Sequence, residues 1–348
     1  MAALRSAALR SSVRAAAAAR QPPASAVRPP LAERPATHAA TAPDFVAWLA
    51  DATAAVDAAG DSLAADGGPD AEGLRRELRW LLEDAVPDPP GWRGVFRAKG
   101  SILLRAPLAH LRAGWAARVN ERVPHQYLTG ASHWRDLVLA VGPGVLVPRP
   151  ETGQLVDEAV AAIAASPALA RRPWADAGTG SGALDIGIAR SVPEIPVVHA
   201  TDASGAAAAW ARLNVRRCGV AARVAVAVGD WLTPLGPLAS SRSLGGLVSN
   251  PPYIPTPLMA GLQPEVGLHE PQSALDGGSD DGVAAYASLL AAAPAALAPG
   301  AFLGLETHGH SQAETVAASL AAAGAWRRVR VVADDRGVAR FVLAERAD

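Results

Sequence analysis

One cysteine, Cys218, stands in 348 residues, so no disulfide can close within the chain and a thiolate metal cluster has no basis. Lysine is as scarce: Lys99 is alone, and arginine supplies every other long basic side chain. With the abundant alanine this reads as coding bias, and Arg in place of Lys carries no functional meaning. Neither sign of charge prevails, with 32 basic against 33 acidic residues and a net charge of −1. The composition thus gives no global signal for nucleic acid or membrane, and only a local basic surface could supply one. No apolar run approaches the ~20 residues of a membrane span, because Pro, Gly or a charge interrupts each candidate. What remains is a chain half hydrophobic and under a fifth charged, the balance of a soluble globular protein with length enough for one large domain or two smaller ones.

The chain opens with Arg5, Arg10, Arg14, Arg20 and Arg28 and has no acid before Glu33. An Arg-, Ala- and Ser-rich leader poor in acids resembles an organelle transit peptide and lacks the continuous apolar core of a secretory signal; a low-complexity disordered tail is the alternative. Residues 1–43 are expected to be this leader and a disordered linker, kept extended by Pro22, Pro23, Pro29, Pro30 and Pro35, with the plastid ahead of the mitochondrion as destination. Residues 44–123 carry helical spacing: Phe45, Trp48, Leu49 and Val56 after a cap at Asp44; Leu74, Leu78, Leu81 and Leu82; Leu108, Leu111, Trp115 and Val119. Arg112, Arg118 and Arg122 fall off the last stripe and are expected to be solvated, or else to form a docking surface for an acidic or RNA-associated partner. Residues 124–150 read as a linker with a short β-hairpin. From 151 to 348 strand and helix patterns alternate, which predicts a doubly wound α/β sheet, closed by an antiparallel edge strand.

Four motifs fall at successive strand ends. DAGTGSG, Asp176 to Gly182, follows the first strand; its glycines permit a tight turn and close approach of a ligand to the backbone. Gly178, Gly180 and Gly182 are spaced GxGxG, not the GxGxxG of the dinucleotide fingerprint. Asp202 lies 20 residues after Gly182, at the end of the second strand, where a carboxylate can accept from a ribose diol. Alone it would read as a turn residue. Asp230 and Trp231 end the third strand, an indole to stack on adenine and a carboxylate to accept from its amine. Asn250-Pro251-Pro252-Tyr253 ends the fourth, and alone would be only a stiff strand-to-loop turn.

In this order the motifs resemble class I methyltransferases dependent on S-adenosylmethionine. With PHQYLTG, PRPET, EVGLHEP and FLGLETHG they are similar, over roughly residues 70–346, to the HemK/PrmC family, which methylates the glutamine of the GGQ motif in peptide-chain release factors. The wording is closest to the plant and algal organelle branch. The resemblance implies a Rossmann-like sheet with a small N-terminal helical domain that docks the substrate. It implies that Gly178, Thr179, Gly180, Ser181 and Gly182 surround the methionine part of S-adenosylmethionine, Asp202 the ribose, and Asp230 and Trp231 the adenine. Asn250, Pro251, Pro252 and Tyr253 would hold the glutamine: the Asn250 side-chain oxygen and the Pro251 carbonyl grip its two N–H bonds, and Tyr253 packs on the amide. Asn250 therefore borders cofactor and substrate alike. Arg149 and Glu151 are expected to shape the pocket floor, and Glu270 either supports the NPPY loop or is an exposed acid. Three departures from the family pattern stand out: Gly153 where PRPETE has Glu, Asp185 where the helix is usually apolar, and the unusual strand RRPWADAG around Asp176. His308 and His310 lack a metal-ligand pattern, so no metal is expected. The expected partner is a release factor, without DNA or membrane, and the expected state a monomer. The alternative function is an adenine-N6 methyltransferase of nucleic acid, since NPPY would grip an exocyclic amine equally well.

A fluorescent fusion of residues 1–43 tests the leader: the signal is expected in plastids, and a diffuse cytosolic signal would remove the transit-peptide expectation.

Overall fold

Thr41 starts the first long helix sooner than its proline-rich surroundings suggest. In the computed structural model, which describes residues 27–348 apart from Pro90 and Lys99, β1 (His38–Thr41) pairs antiparallel with β2 (Ser101–Leu104). The Arg-rich stretch 1–26 of the expected leader lies outside the described residues. The Thr41 hydroxyl oxygen accepts the Asp44 N–H at 3.1 Å and the hydroxyl donates back to the Asp44 carboxylate at 2.6 Å. This reciprocal cap launches α1 (Ala42–Ala59) from Thr41, three residues before the expected cap at Asp44. The linker expected up to residue 43 is thus, after residue 26, partly structured, and Leu31 is already buried in the helical core. With α2 (Ala71–Ala85) and α3 (Leu108–Asn120), α1 encloses Phe45, Trp48, Leu74, Leu81 and Trp115. The N-terminal unit is therefore helical with an added two-stranded sheet, which periodicity alone did not reveal.

The arginines of α3 are not solvated. Arg118 is 2% exposed and donates to both oxygens of Glu77, at 2.6 and 3.1 Å, and to Glu265 at 2.9 Å. Arg122 donates to Glu265 at 2.8 and 2.7 Å and to Asp66 at 2.6 Å. Burial alone would push the Glu265 carboxyl up, but the two guanidiniums hold it below the usual carboxylate range. Neither expectation for these side chains holds: Arg118 and Arg122 are the ionic seam between the N-terminal unit and the loop after NPPY. Arg112 alone of the three stays exposed, 3.7 Å from Asp51.

β3 (Ala131–Trp134) and β4 (Leu137–Ala140) form a hairpin whose Trp134, Leu137 and Leu139 enter the core of the second half. Residues 124–150, expected as a linker with a short β-hairpin, contain that hairpin, and its strands pack into this half. There β5 (Trp174–Ala177), β6 (Val198–Asp202), β7 (Val224–Val228), β8 (Leu244–Ser249), β9 (Leu297–Glu306), β10 (Trp326–Ala333) and β11 (Ala339–Arg346) make one sheet in the order β10-β11-β9-β8-β5-β6-β7. β5 to β9 are parallel, and β11 and β10 are added antiparallel, as the sequence pattern predicts. β5 and β8 are buried at every residue because helices cover both faces, which is why they read as continuous runs. On one face lie α4 (Gln154–Ala165), α5 (Ala183–Ser191) and α6 (Gly205–Arg217) with the hairpin; on the other lie α7 (Ala284–Ala296) and α8 (His310–Ala322). No helix among the described residues is long and apolar enough to cross a membrane.

Removing one partner of a buried ion pair strands the other charge. Glu265→Ala is expected to lower unfolding free energy by about 3–5 kcal/mol in denaturant titrations; a loss within the ordinary scatter of surface substitutions would contradict a buried seam.

Candidate active site

The chain runs outward from β5 to β6 and β7, then returns to place β8 against the other side of β5. At this reversal the loops leaving β5 and β8 diverge and open a crevice at the strand ends. The glycine loop and NPPY are those two loops. Gly178, Gly180 and Gly182 all have positive φ, at 81°, 57° and 86°, a region that side chains with a Cβ rarely adopt. The Gly178 and Thr179 N–H groups donate to the Thr201 carbonyl at 2.8 and 2.9 Å, and the Gly180 N–H donates to Asp202 Oδ2 at 2.9 Å. Asp202 Oδ1 accepts from the Ser204 N–H at 2.8 Å. The Asp202 plane is thereby fixed across the loop, with remaining lone pairs on both oxygens. Burial pushes its carboxyl up, and the two N–H groups oppose the rise.

Beneath the loop lies a pair of carboxylates, Asp176 and Asp185, both fully buried. Asp185 Oδ1 accepts the Thr179 hydroxyl at 2.6 Å, while Asp185 Oδ2 and both Asp176 oxygens have no hydrogen-bond partner. Burial pushes Asp176 up to about 7, and burial with the neighbouring Asp176 charge pushes Asp185 up as well. Two such groups cannot both ionise cheaply, so the pair retains a proton around neutrality. The Asp185 departure therefore supplies the acceptor that holds Thr179. Gly153 has its own reason: a Cβ there would come within 3.2 Å of the Arg135 side chain, whose guanidinium donates to the Gly153 carbonyl at 2.7 Å and to both Asp157 oxygens.

A cavity of about 150 Å³ brings together Gly178, Gly180, Asp202, Asp230, Trp231, Asn250 and Pro252. Trp231 takes a left-handed φ of 40° and lies against Gly178, where a Cβ would be 3.8 Å from the ring. Gly144–Leu146, from the stretch expected as linker, and Pro271, Ser273 and Ala274 complete the wall. Thr179 and Ser181 are buried behind the loop, and Gly182 caps α5. Pro251 is buried, and Tyr253 turns away from the cavity to donate its hydroxyl to Glu306 Oε1 at 3.1 Å.

Asn250 Nδ2 donates to Thr152 Oγ1 at 3.2 Å, while its Oδ1 and the Pro251 carbonyl accept no hydrogen bond among the described residues. The PRPET turn that carries Thr152 is anchored from behind. Arg149 donates to both oxygens of buried Glu270, at 2.8 and 2.7 Å, and its carbonyl accepts the Trp134 indole N–H at 2.7 Å. Glu270 is no exposed acid, and it braces the turn behind Asn250. Gln312 Nε2 donates to the carbonyls of Tyr253 and Asp281 at 2.9 and 2.8 Å, which fixes the exit of NPPY.

No protein-family profile matches the chain. It is 43% identical over 277 residues to the release factor glutamine methyltransferase of Thermosynechococcus vestitus, covering 80% of this chain and 93% of that protein. It is 40% identical over 277 residues to the protein of the same name from Synechocystis, covering 77% and 89%. The chain belongs to the release factor glutamine methyltransferases. Among solved structures, the protein-(glutamine-N5) methyltransferase (release factor-specific) of Alicyclobacillus acidocaldarius is 28% identical and covers 60% of this chain and all of that one, with a TM-score of 0.36.

The sequence motifs assign no role to Thr152, Asn214, Glu306 or Gln312. Asn214 on α6 donates to the carbonyls of Ala140 and Ser181 and accepts the Ala140 N–H, tying the hairpin to the glycine loop. Each acts through a partner distant in sequence: Thr152 stands inside PRPET and Glu306 inside FLGLETHG, but neither segment shows which partner its side chain takes. Among the described residues no cluster of three or more metal-ligating side chains occurs.

The buried pair makes stability depend on pH. A carboxyl raised in the fold contributes stability that is present below its unfolded value and lost as pH rises through about 7. Asp185→Asn is expected to flatten the fall of Tm between pH 5 and pH 8 and to gain most at pH 8; parallel curves for the two proteins would contradict it.

Proposed function

We propose that the protein transfers a methyl group from S-adenosylmethionine to the side-chain amide nitrogen of the glutamine in the GGQ motif of a peptide-chain release factor. The observation that carries this reading is the orientation of Asn250. Its Nδ2 is tied to Thr152, which leaves Oδ1 open beside the free carbonyl of Pro251. Two acceptors side by side suit a primary amide, which offers two N–H bonds and no strong acid. An amide nitrogen is a weak nucleophile because its lone pair is delocalised into the carbonyl. Acceptors that hold both hydrogens turn that lone pair toward the cavity and stabilise positive charge developing on nitrogen. Pro251 and Pro252 keep the acceptors from turning away.

The cavity residues fit the methyl donor. Asp202, with each oxygen already steadied by one N–H, offers its other lone pairs to a ribose diol. Trp231 gives a flat surface for adenine, Asp230 an acceptor for its amine, and the glycine loop close backbone approach for the methionine part. When bound, S-adenosylmethionine supplies the electrophilic methyl on its sulfonium. The same two acceptors would serve an adenine amine, but the relatives that resemble this chain carry glutamine methyltransferase names, and no observation favours nucleic acid. The N-terminal unit would dock the release factor, with the enzyme a monomer. A plastid location is proposed with this function, supported by the Arg-rich leader and the cyanobacterial origin of similar relatives.

Asn250→Ala is expected to lower methyl transfer to a plastid release factor by ~10²-fold or more, with affinity for S-adenosylmethionine within about threefold of wild type by calorimetry. Asp202→Ala should do the reverse and weaken cofactor binding first. Label from S-adenosylmethionine entering duplex DNA instead of the release factor would overturn the reading.

A further inference from the structure

Asn250 can serve the reaction only if its oxygen, and not its amide nitrogen, faces the substrate. An amide side chain presents either end by a half-turn, so something must choose between them. The nearest chooser is Thr152, whose Oγ1 accepts from Asn250 Nδ2. A hydroxyl that accepts there must send its own proton elsewhere, and Thr152 is buried. Glu306, at the end of β9, is fully buried and near enough for the Thr152 hydroxyl to hold its proton affinity down. Its Oε1 takes the Tyr253 hydroxyl, its backbone carbonyl takes the Tyr286 hydroxyl at 2.7 Å, and its Oε2 is buried with no partner.

We infer that Glu306 is a positioning residue for methyl transfer: its carboxylate accepts a hydrogen bond from the Thr152 hydroxyl and thereby obliges Asn250 to present Oδ1 to the substrate amide. The inference rests on the methyltransferase reading and extends it inward by two residues. The direction of donation runs along the chain of groups. Asn250 Nδ2–H donates to Thr152 and the Tyr253 hydroxyl donates to Glu306 Oε1, so the Thr152 O–H is left to turn toward the open Oε2. A protonated Glu306 has its own O–H to give on the open oxygen. Thr152 would then accept that proton, turn its hydroxyl toward Asn250 and draw in Oδ1, leaving Nδ2 to meet the substrate N–H. Donor would face donor.

The surroundings make this choice sensitive to pH. Burial pushes Glu306 up to about 7, while the hydroxyls of Thr152 and Tyr253 and the charge of Arg340 oppose the rise and Glu151 adds to it. Arg340, on β11, is itself paired with Asp334 at 2.8 Å. Burial raises the Tyr253 and Tyr286 hydroxyls, and His308, whose ring lies 6.2 Å from that of Tyr253, is lowered by burial. Arg149, whose charge also reaches Tyr253, stays cationic. Glu306 is therefore the group in this network that changes charge around neutrality. The Asp176–Asp185 pair titrates in the same range but sits under the glycine loop, and a substitution at Glu306 separates the two.

The test follows kcat, KM and cofactor affinity of the full chain from pH 6 to pH 9, with labelled S-adenosylmethionine and a release factor. Wild type is expected to lose kcat as pH falls through about 7. Glu306→Gln should lower kcat about tenfold or more at pH 8, abolish that acid limb, and leave affinity for S-adenosylmethionine within about threefold. Thr152→Ser, which keeps the hydroxyl, should retain most of kcat, and Thr152→Val should resemble Glu306→Gln. Wild-type kcat or an unchanged acid limb in Glu306→Gln would overturn the inference, as would Thr152→Ser as impaired as Thr152→Val. Should Glu306→Gln fail to fold, the Thr152 pair decides. Wild type that leaves the release factor unlabelled at every pH would overturn the functional reading itself, and this inference with it.

Discussion

The parallel pairing of β5 with β8 is the constraint on which the rest of the molecule depends. Trp174 stands opposite Gly246, Ala175 opposite Leu247 and Asp176 opposite Val248. A Cβ on Gly246 would come within 2.3 Å of the Trp174 ring, so the indole occupies the space that glycine leaves. One residue of slip would turn every side chain of these fully buried strands to the opposite face. The register therefore fixes where both strands end. The glycine loop leaves one end and NPPY the other, so the distance between cofactor and substrate motifs is set by backbone hydrogen bonds in the core rather than by the loops themselves.

Around that frame the molecule buries charge and gives nearly all of it a partner. Arg118 and Arg122 are paired with Glu77, Asp66 and Glu265, and Arg149 with Glu270. The pairs with Glu265 and Glu270 join segments more than a hundred residues apart to the loop that follows NPPY. Ion pairs of this kind contribute little net stability compared with apolar packing, but they penalise any other arrangement of the segments they join. Among the described residues the buried carboxylates Asp176, Asp185 and Glu306 each keep an oxygen without a partner, as do Arg105 Nε and His125 Nδ1 among the nitrogens. The three carboxylates lie within the site, two under the glycine loop and one behind NPPY, where burial raises their proton affinity.

Much of this was legible in the sequence. Alternating strand and helix patterns after residue 151, the GxGxG spacing and the motif order sufficed for the sheet and its antiparallel edge. The cap at Thr41 was hidden among prolines, and the β1–β2 pair joins residues about sixty apart, beyond any local window. Arg118 and Arg122 looked solvated because their stripe is polar on its own helix. Their partner Glu265 belongs to a loop whose position no helical periodicity encodes.

Asn250 shows where the two kinds of information divide. The sequence by itself determined that an amide would stand at the fourth strand end, stiffened by Pro251 and Pro252, because strand pattern and proline chemistry are local. Only the tertiary structure decided which end of that amide is free. That choice depends on Thr152, 98 residues earlier, and on Glu306, 56 residues later. Local periodicity selects which face of an element is buried. The direction of a hydrogen bond is selected by whichever donor and acceptor the folded chain brings within 3 Å or so, and that pairing exists only once the sheet has closed.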